Sequence, residues 1–346
     1  MILGASYGGL SAAHYLLKHV IPKLPELEYL VTIVSSSSQV FCRPACPRAM
    51  ISDDMFPQEK LFVNVADCLN QYGKKVVRFV HGCAEGLDHA NRTVSIRVGE
   101  DIEKIEFHVL VIATGASTAS PLFGLNKDSD TLREKWAEFR TVLPTAKTIV
   151  IAGGGPSSVE TAGELGEYLN GNSGWFSKPL HTVDITLITS APQILPLLRP
   201  SIAEKAEGLL SRVGVKIMKN HKVMSVEPIG AGVENPSTKA TITFNDGKIL
   251  MADVYIPAVG TKPNTGFVNS TLLALDGRIQ TSSTFRVEKA GPRIYAIGDV
   301  ASCARPAIHN IISAIPILCG NIKRDLLLAA GAYCKTLRIY LSCVLC

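Results

Sequence analysis

The chain lacks any uninterrupted apolar stretch of about 18 residues, the length a membrane-spanning helix requires. Its most apolar segment, residues 307–318, is broken by His309, Asn310, Ser313 and Pro316, so no membrane span is expected. It also lacks a concentrated basic tract. The 35 Lys and Arg stand against 30 Asp and Glu, and the net charge of +5 is spread along 346 residues, so nucleic acid is not an expected partner. Charged residues make up only 19% and hydrophobic ones 47%, the balance of a chain that buries cores rather than of a disordered one. Nine cysteines at irregular spacing are too few for a disulfide scaffold and offer no metal-ligand pattern. A reducing compartment follows. The start shows no basic region ahead of a hydrophobic one, so a signal peptide is not expected, and the location is read as cytoplasmic or peripheral. The 8 His are dispersed, and no Ser-His-Asp constellation suggests hydrolysis.

What is present is an alternation of short β-branched runs with amphipathic helical stretches, the pattern of an α/β protein with helix-covered parallel sheets. Length suggests two domains at roughly 150 residues each. Residues 1–3 read as a strand, 6–19 as a helix and 30–34 (LVTIV) as a second strand, one βαβ unit. Only three residues precede the first glycine, so the start is expected to lack part of its strand. Residues 109–113 (VLVIA) read as a buried strand closed by Thr114 and Gly115. The plan then repeats: a strand at 148–152 (TIVIA), a helix at 156–169, a strand at 184–188 (DITLI). The Gly-, Ser- and Asn-rich stretch 171–179 reads as a surface loop. After a strand at 253–257 and the turn GTKPNTG, a strand at 293–297 leads to Gly298 and Asp299, ahead of an expected helix.

The strand-to-helix turns carry the chemistry. The first is GASYGG, residues 4–9, with Gly4 and Gly9 in the outer positions of G-x-G-x-x-G, Ser6 in the middle, and Ala5 and Gly8 between. Such a loop needs a tight turn, close approach of backbone to a pyrophosphate, and a helix whose first amides meet the phosphates. Alone it is a weak signal, since a βα loop without ligand looks the same. The second, GGGPSS, has Gly153 and Gly155 in place and Ser158 in the third position, followed by Glu160 and Glu164 in the first turns of its helix. Acidic groups there can simply favour the helix dipole. Two such loops about 150 residues apart, each in its own βαβ unit, argue for two dinucleotide sites. The acid that usually holds the adenosine ribose is missing from both: the second strands end in Ser35 and in Thr189 and Ser190, and the nearest downstream arginine in the second unit is Arg199. NADPH is thereby permitted without being demanded. The motif RIYAIGDV ends on Asp299, a carboxylate suited to ribitol hydroxyls, or equally to a helix cap.

In this order GASYGG, VLVIATGAS, IVIAGGGPSSVE, PAVGTKPN and RIYAIGDVAS resemble the FAD-dependent pyridine-nucleotide oxidoreductases over most of the chain. The likeness is greatest to the apoptosis-inducing-factor-like group, with the ferroptosis-suppressor quinone reductases, relatives of type II NADH dehydrogenases. The resemblance implies two nested Rossmann-like domains and a C-terminal interface segment: FAD binding by residues 1–116 and 257–325, NAD(P) binding by 117–256, and an atypical tail at 326–346. That tail does not look like the family's interface segment, which is expected to be truncated. The resemblance further implies that Gly4, Ala5, Ser6, Gly8 and Gly9 meet the FAD pyrophosphate, that Arg48 in CPRAM lies against the flavin with Arg43 as a rival, and that Ala84 holds the adenine. Thr114 and Gly115 pass near the flavin and Asp299 binds ribitol. Gly153, Gly155 and Ser158 receive NAD(P)H, and Glu160 is the catalytic candidate near the reacting rings, in a positioning or proton-transfer role. The implied activity is hydride transfer from NAD(P)H to FAD, the rings stacked at the seam of the two domains, then electron release to a quinone or other small acceptor, with peripheral membrane or mitochondrial placement allowed.

Two other readings compete. Cys42 and Cys46 follow the first βαβ unit where disulfide reductases place a redox pair, but three intervening residues including Pro44 replace the usual four on a helix. A sensor that binds NAD(P) and flavin with little turnover is the second. Cys303, Cys319, Cys343 and Cys346 suggest no metal site.

Overall fold

The structure, a computed structural model, describes residues 1–25, 28–171, 182–303 and 305–331. The expected loop at 171–179 falls, after Gly171, outside the described residues, as do the last 15 residues with Cys343 and Cys346. The chain folds into two compact units. One comprises Met1–Val40, Val63–Ser117 and the chain from Lys262 onward, the other Phe41–Phe62 and Thr118–Thr261.

The first unit is built on a 5-stranded sheet in the order Ile294–Ala296, Leu110–Ile112, Ile2–Leu3, Val31–Ser35 and Val77–His81, every pairing parallel. Its inner strands are largely apolar on both faces because both faces are covered, while the edge strand Val77–His81 leaves Arg78 and His81 exposed. Ile2, Ile33, Val111 and Tyr295 point into a core closed by the helices Tyr7–Tyr15 and Ile308–Ala329, through Leu10, Ala13, Leu318 and Ile322. Their neighbours Leu3, Val34, Ile112 and Ala296 point the other way, against Val94 and Ile96 of an antiparallel sheet made by Cys83–Asp88, Thr93–Val98 and Asp101–Glu106.

The second unit repeats this construction. Val215–Met218, Asp184–Ile188, Thr148–Ala152 and Val254–Pro257 form a parallel 4-stranded sheet. Ile149, Ile151, Ile185, Leu187 and Ile256 face the helical core, while Val150, Ala152, Ile188 and Tyr255 face Ile242 and Phe244 of the antiparallel sheet Val223–Glu227, Ala240–Phe244 and Ile249–Ala252. The helices Ser129–Val142, Pro156–Asn170 and Pro200–Arg212 belong to this unit.

Three expectations change. Residues 41–62, read as part of an unbroken first segment, cluster with the second unit. Phe41 and Phe62 stack at 5.0 Å and meet the Trp136 ring at 5.6 and 5.8 Å, while Arg140 donates to the carbonyls of Ala49 and Met50. The helix expected directly after Asp299 does not form: the next helix begins at Ile308 with Ala307 as its cap, so Asp299 is no helix N-cap. That helix runs past the expected boundary at 325 to Ala329. Among the described residues no helix is long and apolar enough to cross a membrane.

Candidate cofactor-binding site

In both units the glycine loop leaves the C-terminal end of the sheet's central strand, at the point where strand order reverses, the usual place for a ligand in such sheets. The two loops are built alike atom by atom. The N–H of Gly4 donates to Val34 O at 2.7 Å and that of Gly153 to Ile188 O at 2.8 Å, pinning each turn to the neighbouring strand. Both glycines hold positive φ, 102° and 134°, and a Cβ on either would stand 2.3 Å from the carbonyl oxygen of the strand on the other side, Ala113 or Ala258. No side chain fits either position.

Each loop opens a helix. Ser6 caps Tyr7–Tyr15 and Gly155 caps Pro156–Asn170, neither with a side-chain cap bond and neither followed by an acidic residue in the first turn. The first-turn amides thus keep their hydrogen-bonding capacity for an anion. A Cβ on Gly155 would meet nothing within 4 Å, so the backbone there faces open space. A pyrophosphate fits both loops on these grounds. They differ in the third position. A Cβ on Gly9 would lie 1.8 Å from Gly4 O, whereas Ser158, fully buried, carries its side chain at the matching point and donates its hydroxyl to Gly155 O at 2.7 Å.

Around the first loop, Thr114 and Gly115 are locked by a residue the sequence reading passed over. Asn264 donates its Nδ2 to Thr114 O at 2.9 Å and its N–H to Gly115 O at 3.0 Å, and its Oδ1 accepts from Ser117 Oγ at 2.7 Å. Thr114 Oγ1 closes the ring on Asn264 O at 2.8 Å. The signal was available, since Asn264 ends the quoted motif PAVGTKPN and an Asn side chain both donates and accepts. Asp299 follows Gly298, whose φ of 84° turns the chain at the end of the strand Ile294–Ala296. Ala84 lies on the antiparallel strand Cys83–Asp88, opposite Ile96 at a bulge. Gly4, Ala5, Ser6, Gly8, Gly9, Ala84, Thr114, Gly115 and Asp299 all belong to the first unit, and Gly153, Gly155, Ser158 and Glu160 to the second.

Arg48 is not with the others assigned to FAD. It belongs to the second unit, on the short helix Cys46–Ala49, and its guanidinium forks onto Glu164 with both bonds at 2.9 Å. Neither Glu160 nor Glu164 sits in the first helical turn, so the dipole explanation for them falls away. Glu160 is exposed by surface area. Even so, partial desolvation and then repulsion from Glu164, one turn on, raise its carboxyl pKa above the ordinary range.

The disulfide reading finds no support. Cys42 and Cys46 are free thiols, and Cys46 is buried with its Sγ donating to Leu122 O at 2.8 Å. Burial pushes that thiol pKa up, the opposite of what an attacking thiolate needs. A cavity of about 440 Å³ in the second unit is lined by Asp53, Asp54, Arg140 and Tyr168 among others, none of them in the glycine loop. Among the described residues no cluster of His, Cys, Asp and Glu could hold a metal.

Comparison with known proteins agrees with this construction. The family model described as pyridine nucleotide-disulphide oxidoreductase matches residues 1–316. The chain is 58% identical over 335 residues to the oxidoreductase phnG of Penicillium herquei, covering 95% of this chain and 80% of that one. It is 26% identical over 334 residues to apoptosis-inducing factor 1 of Saccharomyces cerevisiae, covering 94% and 80%. Among solved structures, the NAD-dependent persulfide reductase from A. fulgidus superposes with a TM-score of 0.70 at 20% identity, over 93% of this chain and 58% of that one, a likeness of fold. Paired glycine loops on duplicated sheets and a family match across nearly the whole length lead to one conclusion: the chain belongs to the pyridine nucleotide-disulphide oxidoreductase family and is an FAD-dependent NAD(P)H oxidoreductase.

Proposed function

We propose that the protein takes a hydride from NAD(P)H onto FAD and passes the electrons to a quinone or another small acceptor. The observation that carries this reading is the duplicated loop, with Gly4 and Gly153 held by the same pair of strand contacts in two separate units. FAD and the nicotinamide, when bound, supply the redox chemistry itself, and the protein supplies grip and orientation. In the first unit the amides from Gly4 to Gly9 hold the pyrophosphate of FAD, Asp299 accepts from the ribitol hydroxyls, backbone at Ala84 meets the adenine, and Asn264 keeps Thr114 and Gly115 rigid beside the flavin. In the second, Gly153, Gly155 and Ser158 receive the pyrophosphate of NAD(P)H. The raised pKa of Glu160 suits a group that holds or hands on a proton. Arg48 works through Glu164, the carboxylate that repels Glu160, by pairing with it. The quinone reading is supported by likeness to the apoptosis-inducing-factor group, and it brings peripheral membrane placement with it.

The test is an absorption spectrum of the purified protein before and after anaerobic addition of NADH or NADPH. Flavin absorption that bleaches on addition and returns with a quinone is expected. Colourless protein that stays colourless after incubation with excess FAD overturns the reading, as does a flavin that neither nucleotide reduces.

A further inference from the structure

The strand Asp184–Ile188 ends at the corner where a dinucleotide-binding unit holds the adenosine ribose. Here it continues into Thr189, buried, and Ser190, exposed, with no carboxylate on either. Two stretches of chain are bonded to this corner, and the first of them is basic. The extension of the strand Val215–Met218 runs beside it, with Thr189 N–H donating to Met218 O at 2.9 Å, His221 N–H to Thr189 O at 3.1 Å and Asn220 N–H to Ala191 O at 3.2 Å. That extension reads Lys219, Asn220, His221, Lys222. Across the hairpin of the antiparallel sheet, Lys248 Nζ lies 3.4 Å from His221 Nε2, while His221 Nδ1 is held by Lys219 O at 2.6 Å. The second stretch is the loop after Ser190. It folds back on the glycine loop through Leu195 N–H to Gly154 O at 2.6 Å, with Leu195 in the left-handed region at φ 49°, and it ends on exposed Arg199.

Two carboxylates answer this charge. Glu207 holds Lys219 at 2.8 Å, and Asp246 lies 3.1 Å from Lys248 and 3.3 Å from His221. Against them stand Lys219, Lys222 and Lys248, with Arg199 at the end of the second stretch. Where an NADH-specific unit places one acid to bond the ribose 2′-hydroxyl, this unit has none at the strand end, and the segment bonded beside it carries Lys219 and Lys222.

We propose that this corner receives the 2′-phosphate of NADPH and makes the protein prefer NADPH to NADH, with 219–222 and Lys248 as the specificity-determining residues. The inference rests on the reading that the second glycine loop binds the nicotinamide dinucleotide. Charge-assisted bonds to a phosphate are the strong ones, and a preference of about tenfold or more is expected from two of them.

Isothermal titration of the flavin-loaded protein with 2′,5′-ADP and with 5′-AMP reads the corner without any turnover. Expected is tighter binding of 2′,5′-ADP by about tenfold or more, weakening steeply with salt. Ser190→Asp is expected to abolish the preference while leaving 5′-AMP bound, and Lys222→Gln with Lys248→Gln to reduce it several-fold with 5′-AMP again unaffected. Equal or tighter binding of 5′-AMP by the unaltered protein overturns the inference and leaves the dinucleotide site standing. A preference that survives all three substitutions overturns the assignment to these residues. Binding of neither nucleotide removes the dinucleotide site itself, and this inference with it.

Discussion

At the scale of single residues, the third position of each glycine loop shows how much a local contact decides. Gly9 is tied to its type because Gly4 O occupies the space a Cβ would take, while Ser158 is buried at the matching point with its hydroxyl returned to Gly155 O. Glu160 invites a test by pH. Desolvation first and Glu164 second lift its pKa, so between the unfolded and folded values the folded chain keeps a proton that the unfolded chain has released. Stability therefore falls as pH rises through that window. Glu160→Gln removes the penalty. The melting temperature of the variant should exceed that of the parent at neutral pH, and the gap should close in acid, where the parent carboxyl is already protonated. A gap that is the same at both ends would show that the carboxyl does not feel its surroundings. The substitution should also slow turnover while leaving the flavin bound.

At the scale of elements, the fixing of the last helix shows a buried charge used as a fastener. Asp325 on Ile308–Ala329 takes a two-pronged grip from Arg286 at 2.9 and 2.7 Å and accepts the hydroxyl of Tyr295, which is itself fully buried on the strand Ile294–Ala296. Arg286 and Asp325 side chains keep only 14% and 16% of their surface, so removing one partner strands the other out of water. Asp325→Ala should cost about 3 kcal/mol in denaturant-unfolding stability. Flavin content per folded molecule should not change, and a loss below about 1 kcal/mol would mean the pair is solvated. None of this was legible in the sequence, where Arg286 and Asp325 stand 39 residues apart. The inner parallel strands were legible because they are apolar on both faces, as TIVIA and VLVIA are, whereas the edge strands Val77–His81 and Val215–Met218 were not, since Arg78 and Lys216 interrupt them. The antiparallel strands escaped notice. Val94 and Ile96 alternate with polar residues in runs of 6, too short to stand out without the sheet they cover. Residues 41–62 were misassigned for a related reason: nothing in their own pattern reveals that Trp136, far along the chain, supplies their core. The glycine loops were readable since backbone geometry there dictates residue type, whereas the motif PAVGTKPN displays Asn264 without revealing that its bonds run to a turn 150 residues away.

At the scale of the whole molecule, one plan is used twice. Each unit has a parallel sheet with alternate residues feeding a helical core and an antiparallel cover, and each glycine turn is clamped between the same two neighbouring strands. In the proposed function the phosphate grip comes from backbone amides and sheet contacts rather than from side chains, so Ser6 and Ser158 in place of glycine are compatible with it. Duplication also separates the two binding events. Ligand binding raises the free energy of local opening where contacts form, so amide exchange can assign each cofactor to its unit. In the flavin-loaded protein, oxidised NADP should slow exchange at amides 153–159 and 189–195. Removal of the flavin should quicken exchange at 4–10 and 113–116, with 153–159 keeping its response to the nucleotide. Protection by the nucleotide confined to the first loop would reverse the assignment of the two sites, because amides that line a phosphate are the ones it shields.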